Sequence, residues 1–218
     1  MRLRWFGQSA FSLSGSAGTI VVDPFGEMPE SLRARHCWDY PAVSGVDADL
    51  LLVTHEHADH NAVEVVGGDP HTIRSTTGTW DTPLGQVVGI ASEHDEVAGT
   101  QRGSNTIFVF ELDGIRVAHF GDFGQAALRD EQAAVLGSVD LLIVPIGSGP
   151  TIGAIDAYAI GEKLSAKWVI PMHYRTARTN FLEPVDAFLA LFGDRVTRAE
   201  SVFELEDVAP GVVVPAAP

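Results

Sequence analysis

The sequence predicts an α/β fold in which two β-sheets pack together and helices lie outside them. One observation is that short apolar strand patterns, separated by glycine-containing turns, recur in both halves of the chain. Another is that helical spacing alternates with strand patterns in the second half. With 218 residues, of which 45% are hydrophobic, the chain can bury one large core. We therefore expect a single domain over residues 1–218.

The expected elements follow from the spacing of apolar residues along the chain. Asp-Gly between two of the strands, at Asp113-Gly114, is a strong hairpin signal. The region after the last helix is compatible with two further short strands. We expect strands at 3–6, 10–13, 19–22, 49–53, 72–75, 86–92, 106–111, 115–120, 140–145 and 168–171, and helices at 61–66, 126–136, 155–164 and 184–192.

Two segments fall outside this regular pattern. Residues 26–47 have no clear periodicity and are rich in aromatic and charged residues, which favours a lid or an interface over a linker. Within it, Trp38 and Tyr40 either line the mouth of a site or pack the segment down. His36 is far from any motif and is interpreted as a solvated side chain. Residues 210–218 are expected to form a frayed tail.

A cluster of histidine and aspartate follows the apolar strand at 49–53. His55 and His57 are two positions apart, so they project to the same side of an extended backbone. Asp59 and His60 follow as the chain turns. Imidazole and carboxylate without thiolate are the ligands of Zn, Mn or Fe(II), and they suit a catalytic site better than a structural one. The cluster therefore predicts a metal centre, provided that further ligands lie downstream.

The segment His55-Glu56-His57-Ala58-Asp59-His60 resembles the signature of the metallo-β-lactamase-fold hydrolases. The resemblance continues in residues 21–25, in Phe120-Gly121-Asp122 and in residues 170–174, the last being similar to one branch of the family. That branch contains bacterial metal-dependent hydrolases related to L-ascorbate-6-phosphate lactonase. The resemblance implies an αββα sandwich of two packed mixed β-sheets flanked by helices. It also implies that the ligands gather at one edge between the sheets.

The resemblance implies a second group of ligands further along the chain. His94 follows a strand and precedes a glycine-containing loop, so it is the candidate for the third ligand of one ion; the alternative is a surface histidine. Asp122 would bridge two ions through its two oxygens, and His173 would complete the second set. The implied sets are His55, His57 and His94 for one ion and Asp59, His60 and His173 for the other, with Asp122 between them.

Two residues are expected to support these ligands without binding metal. Asp23 follows the third strand and either caps that strand or, as the resemblance implies, holds a metal-bound histidine. His119, three positions before Asp122, is interpreted as a similar support, and a ligand role for it is left open. The branch often carries histidine where this chain has Gln8, which puts in doubt any transfer of substrate contacts near that strand.

Three residues are candidates for substrate contacts. Arg102 and Asn105 lie in the loop after His94 and either orient the substrate or hold the loop. Arg175 lies just beyond His173 and would anchor an anionic substrate, the alternative being a solvated arginine. All three follow metal-motif positions in the chain, and that proximity is the reason for the prediction.

The predicted chemistry is hydrolysis by a binuclear metal centre. Water between two divalent ions is acidified and supplies hydroxide, which Asp59 would orient toward an ester or lactone of a small molecule. A phosphoester is the next candidate substrate. No serine-nucleophile elbow or paired Cys/His motif offers another nucleophile. Zn is the default ion and Mn the alternative. A non-heme di-iron redox protein and a metal-binding protein without turnover are the competing classes.

Composition excludes some partners. The formal net charge is -15 and the chain has only two lysines, Lys163 and Lys167, so a nucleic-acid partner is not expected. The single cysteine, Cys37, fits a reducing compartment. The first residues enter a strand pattern directly, and no apolar run approaches membrane-spanning length. We expect a soluble cytoplasmic protein without a membrane partner, and a homo-oligomer is compatible with the sequence.

Overall fold

The computed structural model describes residues Met1–Pro218 and contains two mixed β-sheets with helices. This architecture confirms the predicted αββα sandwich. The first sheet has six strands in the order β13-β1-β2-β3-β4-β5, and its pairs around β1 and β2 are antiparallel. Its strands are β1 (Arg2–Gly7), β2 (Ala10–Ser14), β3 (Thr19–Val22), β4 (Asp47–Val53), β5 (Gly67–Arg74) and β13 (Val202–Glu204).

The second sheet has eight strands in the order β12-β14-β11-β10-β9-β8-β7-β6. Strands β6 to β9 form an antiparallel meander, and the remaining pairs are parallel. Its strands are β6 (Gly78–Thr82), β7 (Gly85–Glu93), β8 (Ser104–Leu112), β9 (Ile115–His119), β10 (Leu141–Pro145), β11 (Trp168–Met172), β12 (Val196–Ala199) and β14 (Gly211–Pro215).

The main hydrophobic core lies between the two sheets. One cluster of 44 buried residues includes Leu3 and Phe11 from the first sheet and Ile143 and Ile170 from the second. Side chains alternate across a strand, so each sheet contributes one face to this core. The central strands β10 and β11 are buried along their whole length, as expected for parallel strands that are covered on both faces.

Helices cover the outer faces unequally. The second sheet carries α2 (Asp130–Leu136), α3 (Ala154–Lys163) and α4 (Asp186–Leu189), and Gly161 brings α3 close to Leu142 and Val169. The first sheet has only α1 (Glu30–His36), none of whose residues is buried. None of the four helices has the length and the hydrophobicity that crossing a bilayer requires.

The segment 26–47 is packed onto the first sheet. A cluster of seven buried residues includes Phe6, Phe25, Trp38 and Tyr40, and the rings of the last three meet at their edges. The ring of Tyr40 lies against Gly7, where an added Cβ would come within 2.4 Å of it. The two aromatic residues therefore hold the segment down, and α1 is carried on this base at the edge of the sandwich.

Several predicted boundaries are corrected by the structure. The expected tail at 210–218 contains β14, whose Val212–Val214 side chains are buried between β11 and β12. Its prolines lie outside or at the end of the strand, where they remove no essential ladder hydrogen bond. The expected helix at 61–66 is only one 3₁₀ turn, Val63–Val65, and the helix expected at 184–192 is regular only over Asp186–Leu189. Strand β6 was not predicted.

Candidate metal centre

The candidate site lies where strands from both sheets end. The loop after β4 supplies His55, His57, Asp59 and His60 within six positions. The second sheet supplies the remaining three residues from the ends of different strands: His94 follows β7, Asp122 follows β9, and His173 follows β11. Because β9, β10 and β11 are parallel neighbours, the chain leaves them at one edge of the sheet. All seven residues predicted as ligands meet at this edge.

Asp122 occupies the centre of this group. Its Oδ2 atom lies 3.1 Å from His94 Nε2, 3.3 Å from His173 Nε2, 3.4 Å from His60 Nε2 and 4.0 Å from His55 Nε2. The carboxylate is only 2% exposed. One buried oxygen therefore faces imidazole nitrogens from both sheets, which is the position that a residue bridging two cations requires.

The ligand atoms form three groups that could each hold a metal ion. Within each group all atoms lie within 4.8 Å of one another. The groups are His55, His57 and His94; Asp59, His60 and His173; and His55, His60 and Asp122. The first two coincide with the two sets that the sequence resemblance implies, and the third joins them.

The hydrogen bonds of the histidines fit a metal at their Nε2 atoms. His60 Nδ1 donates to Asp23 at 3.0 Å, and His94 Nδ1 donates to the carbonyl of Pro150 at 2.9 Å. His55 Nδ1 lies 3.0 Å from the hydroxyl of Thr54. A neutral imidazole that donates through Nδ1 keeps its lone pair on Nε2. The Nε2 atom of His60 is buried without a hydrogen-bond partner, as expected of an atom that binds an ion.

Asp23 anchors the loop that carries the first four ligands. It is fully buried and accepts from the backbone N–H and the hydroxyl of Thr54, both at 2.7 Å, as well as from His60. The hydroxyl of Thr54 donates its one hydrogen to Asp23. The oxygen of that hydroxyl therefore accepts a hydrogen bond from His55 Nδ1. A single buried carboxylate thus orients two imidazoles, one directly and one through Thr54.

The loop that carries Asp122 is held by two side chains, those of Asn105 and Ser9. Asn105 accepts from the backbone N–H of Asp122 at 3.0 Å and donates to the carbonyl of Phe120 at 2.8 Å. Gly121 has a φ of +55°, and an added Cβ would lie 2.4 Å from the Asn105 side chain. On the other side, the Ser9 hydroxyl donates to Asp122 Oδ1 at 3.1 Å. The second oxygen of Asp122 is thereby fixed while Oδ2 faces the histidines.

His119 has no lone pair left for a metal. Its Nε2 donates to the carbonyl of Ser9 at 3.0 Å, and its Nδ1 accepts from the backbone N–H of Gly121 at 3.2 Å. The ring is fully buried. It joins the turn between β1 and β2 to the Asp122 loop, which is a supporting position of the kind that the sequence predicts.

Burial keeps three of the histidines neutral. It lowers the pKa of His55, His57 and His173, because the charged imidazolium is poorly solvated there. Neighbouring imidazoles lower the pKa of each ring further, His60 next to His55 and His94 next to His57. Neutral rings retain the lone pairs that a cation needs.

The carboxylates have the opposite influence. Burial alone would raise the pKa of Asp122, but His173 and His60 hold it well below its usual range. Burial disfavours protonation of His60, yet Asp122, Asp59 and Asp23 outweigh it and raise the pKa of His60 well above its ordinary value. The region around His60 therefore attracts positive charge, which a divalent ion would supply in place of a proton.

A cavity of about 280 Å³ opens onto the centre. Its lining includes the candidate ligands His57, Asp59, His94, Asp122 and His173. The apolar part of the lining comes from α1, from the segment around it and from the loop after β11. It consists of Met28, Leu32, Trp38 and Phe181, and the lining is completed by Arg35, His36, Arg102 and Pro150.

The structure separates the three candidates for substrate contact. Arg102 lines the cavity. Asn105 does not, because its amide is used within the protein by Asp122, Phe120 and Ser92. Arg175 also lies outside the cavity, since its Nε donates to the carbonyl of Leu182 at 2.7 Å and its side chain is directed along its own loop. These contacts favour the alternatives, in which Asn105 holds its loop and Arg175 is a solvated side chain.

Sequence reasoning missed most of the cavity lining outside the candidate ligands. His36, interpreted as solvated, lines it and packs against Phe181 with ring centroids 4.3 Å apart. Arg35, Met28 and Leu32 come from the segment 26–47, whose role as a lid or interface was left open. The only signal was the density of aromatic and charged residues there, which does not identify the individual side chains.

The chain is similar to a family of known proteins. The family model described as the beta-lactamase superfamily domain matches residues 2–173. A UPF0173 metal-dependent hydrolase from Thermus thermophilus is 32% identical and covers 81% of this chain and 84% of its own length. One from Thermococcus onnurineus is 29% identical, with 89% and 93% covered.

A solved structure is similar over the whole chain. It is a candidate Zn-dependent hydrolase of the metallo-β-lactamase superfamily from Thermotoga maritima, with a TM-score of 0.80 and 34% sequence identity. The similarity covers 100% of this chain and 99% of that one. The two sheets, their flanking helices and the ends of the chain are therefore shared between the two proteins.

Proposed function

This chain belongs to the metallo-β-lactamase superfamily and is a metal-dependent hydrolase, and we propose that it holds two divalent ions and cleaves an ester or lactone of a small molecule. The position of Asp122 is the observation that carries the proposal. Its Oδ2 lies between the set His55, His57 and His94 and the set Asp59, His60 and His173. Two ions bound to these sets would acidify a shared water to hydroxide and polarise the carbonyl of the substrate.

The protein's own groups would position the reactants. Asp59 is half-buried and lines the cavity, with its Oδ2 3.6 Å from His60 Nε2. This places a carboxylate at the boundary between the ligands and the cavity, where it can accept a proton and orient the nucleophile. Asp122 and its support by Ser9 and Asn105 fix the centre before a substrate arrives.

The cavity suits a small substrate with an apolar part and an anionic part. Its volume of about 280 Å³ is at the small end of ligand sites. Met28, Leu32, Trp38 and Phe181 offer an apolar surface, while Arg35 and Arg102 are the only arginines that line it. Neither arginine is paired with a carboxylate in an ion pair, although the chain carries a net charge of -15. Arg102 would therefore bind a negatively charged group of the substrate.

Zn is the ion that the ligand set favours, and Mn is the alternative. Five histidines and two aspartates provide nitrogen and oxygen ligands without sulfur, a mixture that both ions accept. A phosphoester hydrolase is the second candidate function, because the same centre and the same arginines would stabilise a phosphoryl group.

Elemental analysis of the purified protein, followed by assays with the native metal retained, tests the proposal. The panel contains lactones, carboxyl esters, phosphodiesters and phosphomonoesters, each with and without a carboxylate. Near two equivalents of Zn or Mn and turnover of lactones or esters are expected. Turnover of phosphoesters alone would select the second candidate. Iron with an oxygen-dependent colour change would favour a di-iron redox protein, and bound metal without any turnover would favour a non-catalytic metal-binding protein.

A further inference from the structure

The candidate ligand His173 differs from its neighbours in how its ring is held. His55, His60 and His94 each have a partner for Nδ1, namely Thr54, Asp23 and the carbonyl of Pro150. The Nδ1 atom of His173 is buried and has no hydrogen-bond partner. A metal-binding histidine usually donates its other N–H to a carbonyl or carboxylate, which fixes the tautomer and the direction of the ring.

Gln8 is the second unusual residue in this region. It is fully buried, and neither Nε2 nor Oε1 of its side chain has a hydrogen-bond partner. Buried amides are normally hydrogen-bonded, since an unpaired one loses its interactions with water. Six buried side-chain atoms have no hydrogen-bond partner, and Oε1 of Gln8 is the only oxygen among them. The other five are nitrogens of Gln8, His36, Trp38, His60 and His173.

The backbones of these two residues are in direct contact. The N–H of His173 donates to the carbonyl of Gln8 at 3.4 Å, across the junction between the two sheets. Both residues have left-handed backbone angles, with φ of 46° at Gln8 and 50° at His173. Such angles are uncommon for residues other than glycine, and they persist where the surrounding structure requires a particular direction of the side chain. The two unpartnered side chains thus leave adjacent, constrained positions.

We propose that Gln8 is a positioning residue whose amide oxygen accepts a hydrogen bond from Nδ1–H of His173 when Nε2 of His173 binds a metal ion. This pairing satisfies both the imidazole N–H of His173 and the amide oxygen of Gln8, which otherwise have no partner. It gives His173 the same kind of support that Asp23 gives His60. The inference rests on the proposed function, because it requires His173 to be a metal ligand.

Cobalt(II) titration of the Gln8→Met variant tests the proposal. Methionine is similar in length and volume to glutamine but has no strong hydrogen-bond acceptor. We expect one of the two cobalt equivalents to bind about 10- to 100-fold more weakly, with altered visible absorption bands, while the other is unchanged. The metal-free variant should melt no lower than the metal-free wild type, because the substitution removes an amide that has no partner in the protein.

Gln132→Met is the matched control. Gln132 is also buried, but its amide is fully used by Ala91, Gln125 and the backbone of Arg129. This control should lower the melting temperature of the metal-free protein and leave both cobalt equivalents unchanged. Gln8→Glu, which retains an acceptor oxygen, should restore the cobalt affinity that Gln8→Met loses.

The outcomes separate the inference from the proposed function. If the wild type binds two equivalents and Gln8→Met binds both with unchanged affinity, the role of Gln8 is wrong and the binuclear centre stands. If Gln8→Met destabilises the metal-free protein as Gln132→Met does and weakens both equivalents alike, Gln8 is a structural residue and the inference is also wrong. If the wild type binds fewer than two equivalents, the proposed function fails and this inference fails with it.

Discussion

The two halves of the candidate centre are built in different ways. The first sheet provides four residues from one loop, positions 55–60, and the buried carboxylate of Asp23 holds that loop. The second sheet provides His94, Asp122 and His173 from the ends of three strands, and backbone groups and amide side chains hold them. The first half is thus set by local chain geometry, whereas the second depends on the pairing of strands β7 to β11.

Charge is distributed unequally between these halves. Asp23 lies behind the first half and raises the basicity of His60, and Asp122 is the only carboxylate that the second half contributes. Asp122 also contacts imidazoles of both halves. The first half therefore has its own carboxylate support, while the second half shares one residue with the first. Substitution of that shared residue is expected to have the largest effect.

Asp122→Ala should abolish the binding of both ions, because both ligand sets lose their common carboxylate. Hydrolysis should fall by at least about 100- to 1,000-fold, the scale of losing one electrostatic contact to the reacting centre. The protein should remain folded, since Asp122 lies at the edge of the sandwich and outside the apolar core. Elemental analysis, circular dichroism and the rate on the best substrate of the panel provide the measurement.

His71→Ala is the control for Asp122→Ala, because His71 is an exposed histidine on β5 outside the centre. It should retain two ions and full activity. His55→Ala, within the first half, should also lose metal and activity while remaining folded. Full metal content and activity in Asp122→Ala would show that the residue does not bridge the halves.

Asp23→Asn tests the support of the first half alone. The substitution keeps the shape but removes the charge behind His60, so metal affinity should fall by about 10- to 100-fold. The ion held by Asp59, His60 and His173 should be affected most, since His60 donates directly to Asp23. Competition with a chelator measures the two affinities separately.

Asp113→Asn is the comparison for Asp23→Asn, since Asp113 also accepts hydrogen bonds, from Ser16, but lies in a hairpin turn away from the centre. It should leave both affinities unchanged. Equal losses in the two variants would mean that Asp23 acts through general stability and does not support His60.

The same division explains what the sequence could predict. Positions 55–60 were identifiable because their spacing reports directly on the face of an extended chain. His94 was identified because it follows a strand pattern, and Asp122 and His173 because the family resemblance implies them; their convergence depends on the order of strands in the sheet. The six-residue signature and the strand pattern together therefore predicted the fold and all seven residues that meet at the edge.

The rest of the site depends on contacts that no local pattern reports. The rings of Phe181 and His36 pack together although the two residues are 145 positions apart in the chain. Neither lies in a periodic segment, so their position in the cavity could not be predicted. Strand β14 was missed for a related reason: Val212–Val214 become a strand only when β11 and β12 pair on either side.

Arg102→Gln should weaken the binding of an anionic substrate, with a several-fold higher KM and little change in kcat. The effect is modest because Arg102 is exposed, and solvent screens its charge. Arg35→Gln, on α1, should act in the same way. Initial-rate kinetics on a matched pair of substrates, with and without a carboxylate, measure the change.

Arg175→Gln and Arg33→Gln are the controls for the cavity arginines. Arg175 lies outside the cavity, and Arg33 is an exposed residue of α1 that does not line it. Both should leave KM unchanged for either substrate. An equal rise in KM for charged and uncharged substrates in Arg102→Gln would argue against an anionic group at this position.

The smallest effect is expected on the outer side of the first half, at Glu56. Its carboxylate accepts from Arg74 Nη2 at 2.6 Å and from Ser75 and Asn61, which ties the ligand loop to the end of β5. Chiefly through Arg74, these contacts lower the pKa of Glu56 from 4.5 to about 2. The pair is solvent-exposed, so its contribution to the free energy of unfolding at pH 7 is at most about 1 kcal/mol.

Glu56→Gln defines the pH range of that contribution. Because folding depresses the pKa of Glu56, its stabilisation is complete above pH 4.5 and is lost as the pH falls toward 2. Urea denaturation of the metal-free protein should therefore show a deficit in Glu56→Gln at pH 7 that shrinks below pH 4.5. Glu96→Gln, at an exposed glutamate without an ion pair, should show no such trend. A deficit that grows as the pH falls would contradict this sign.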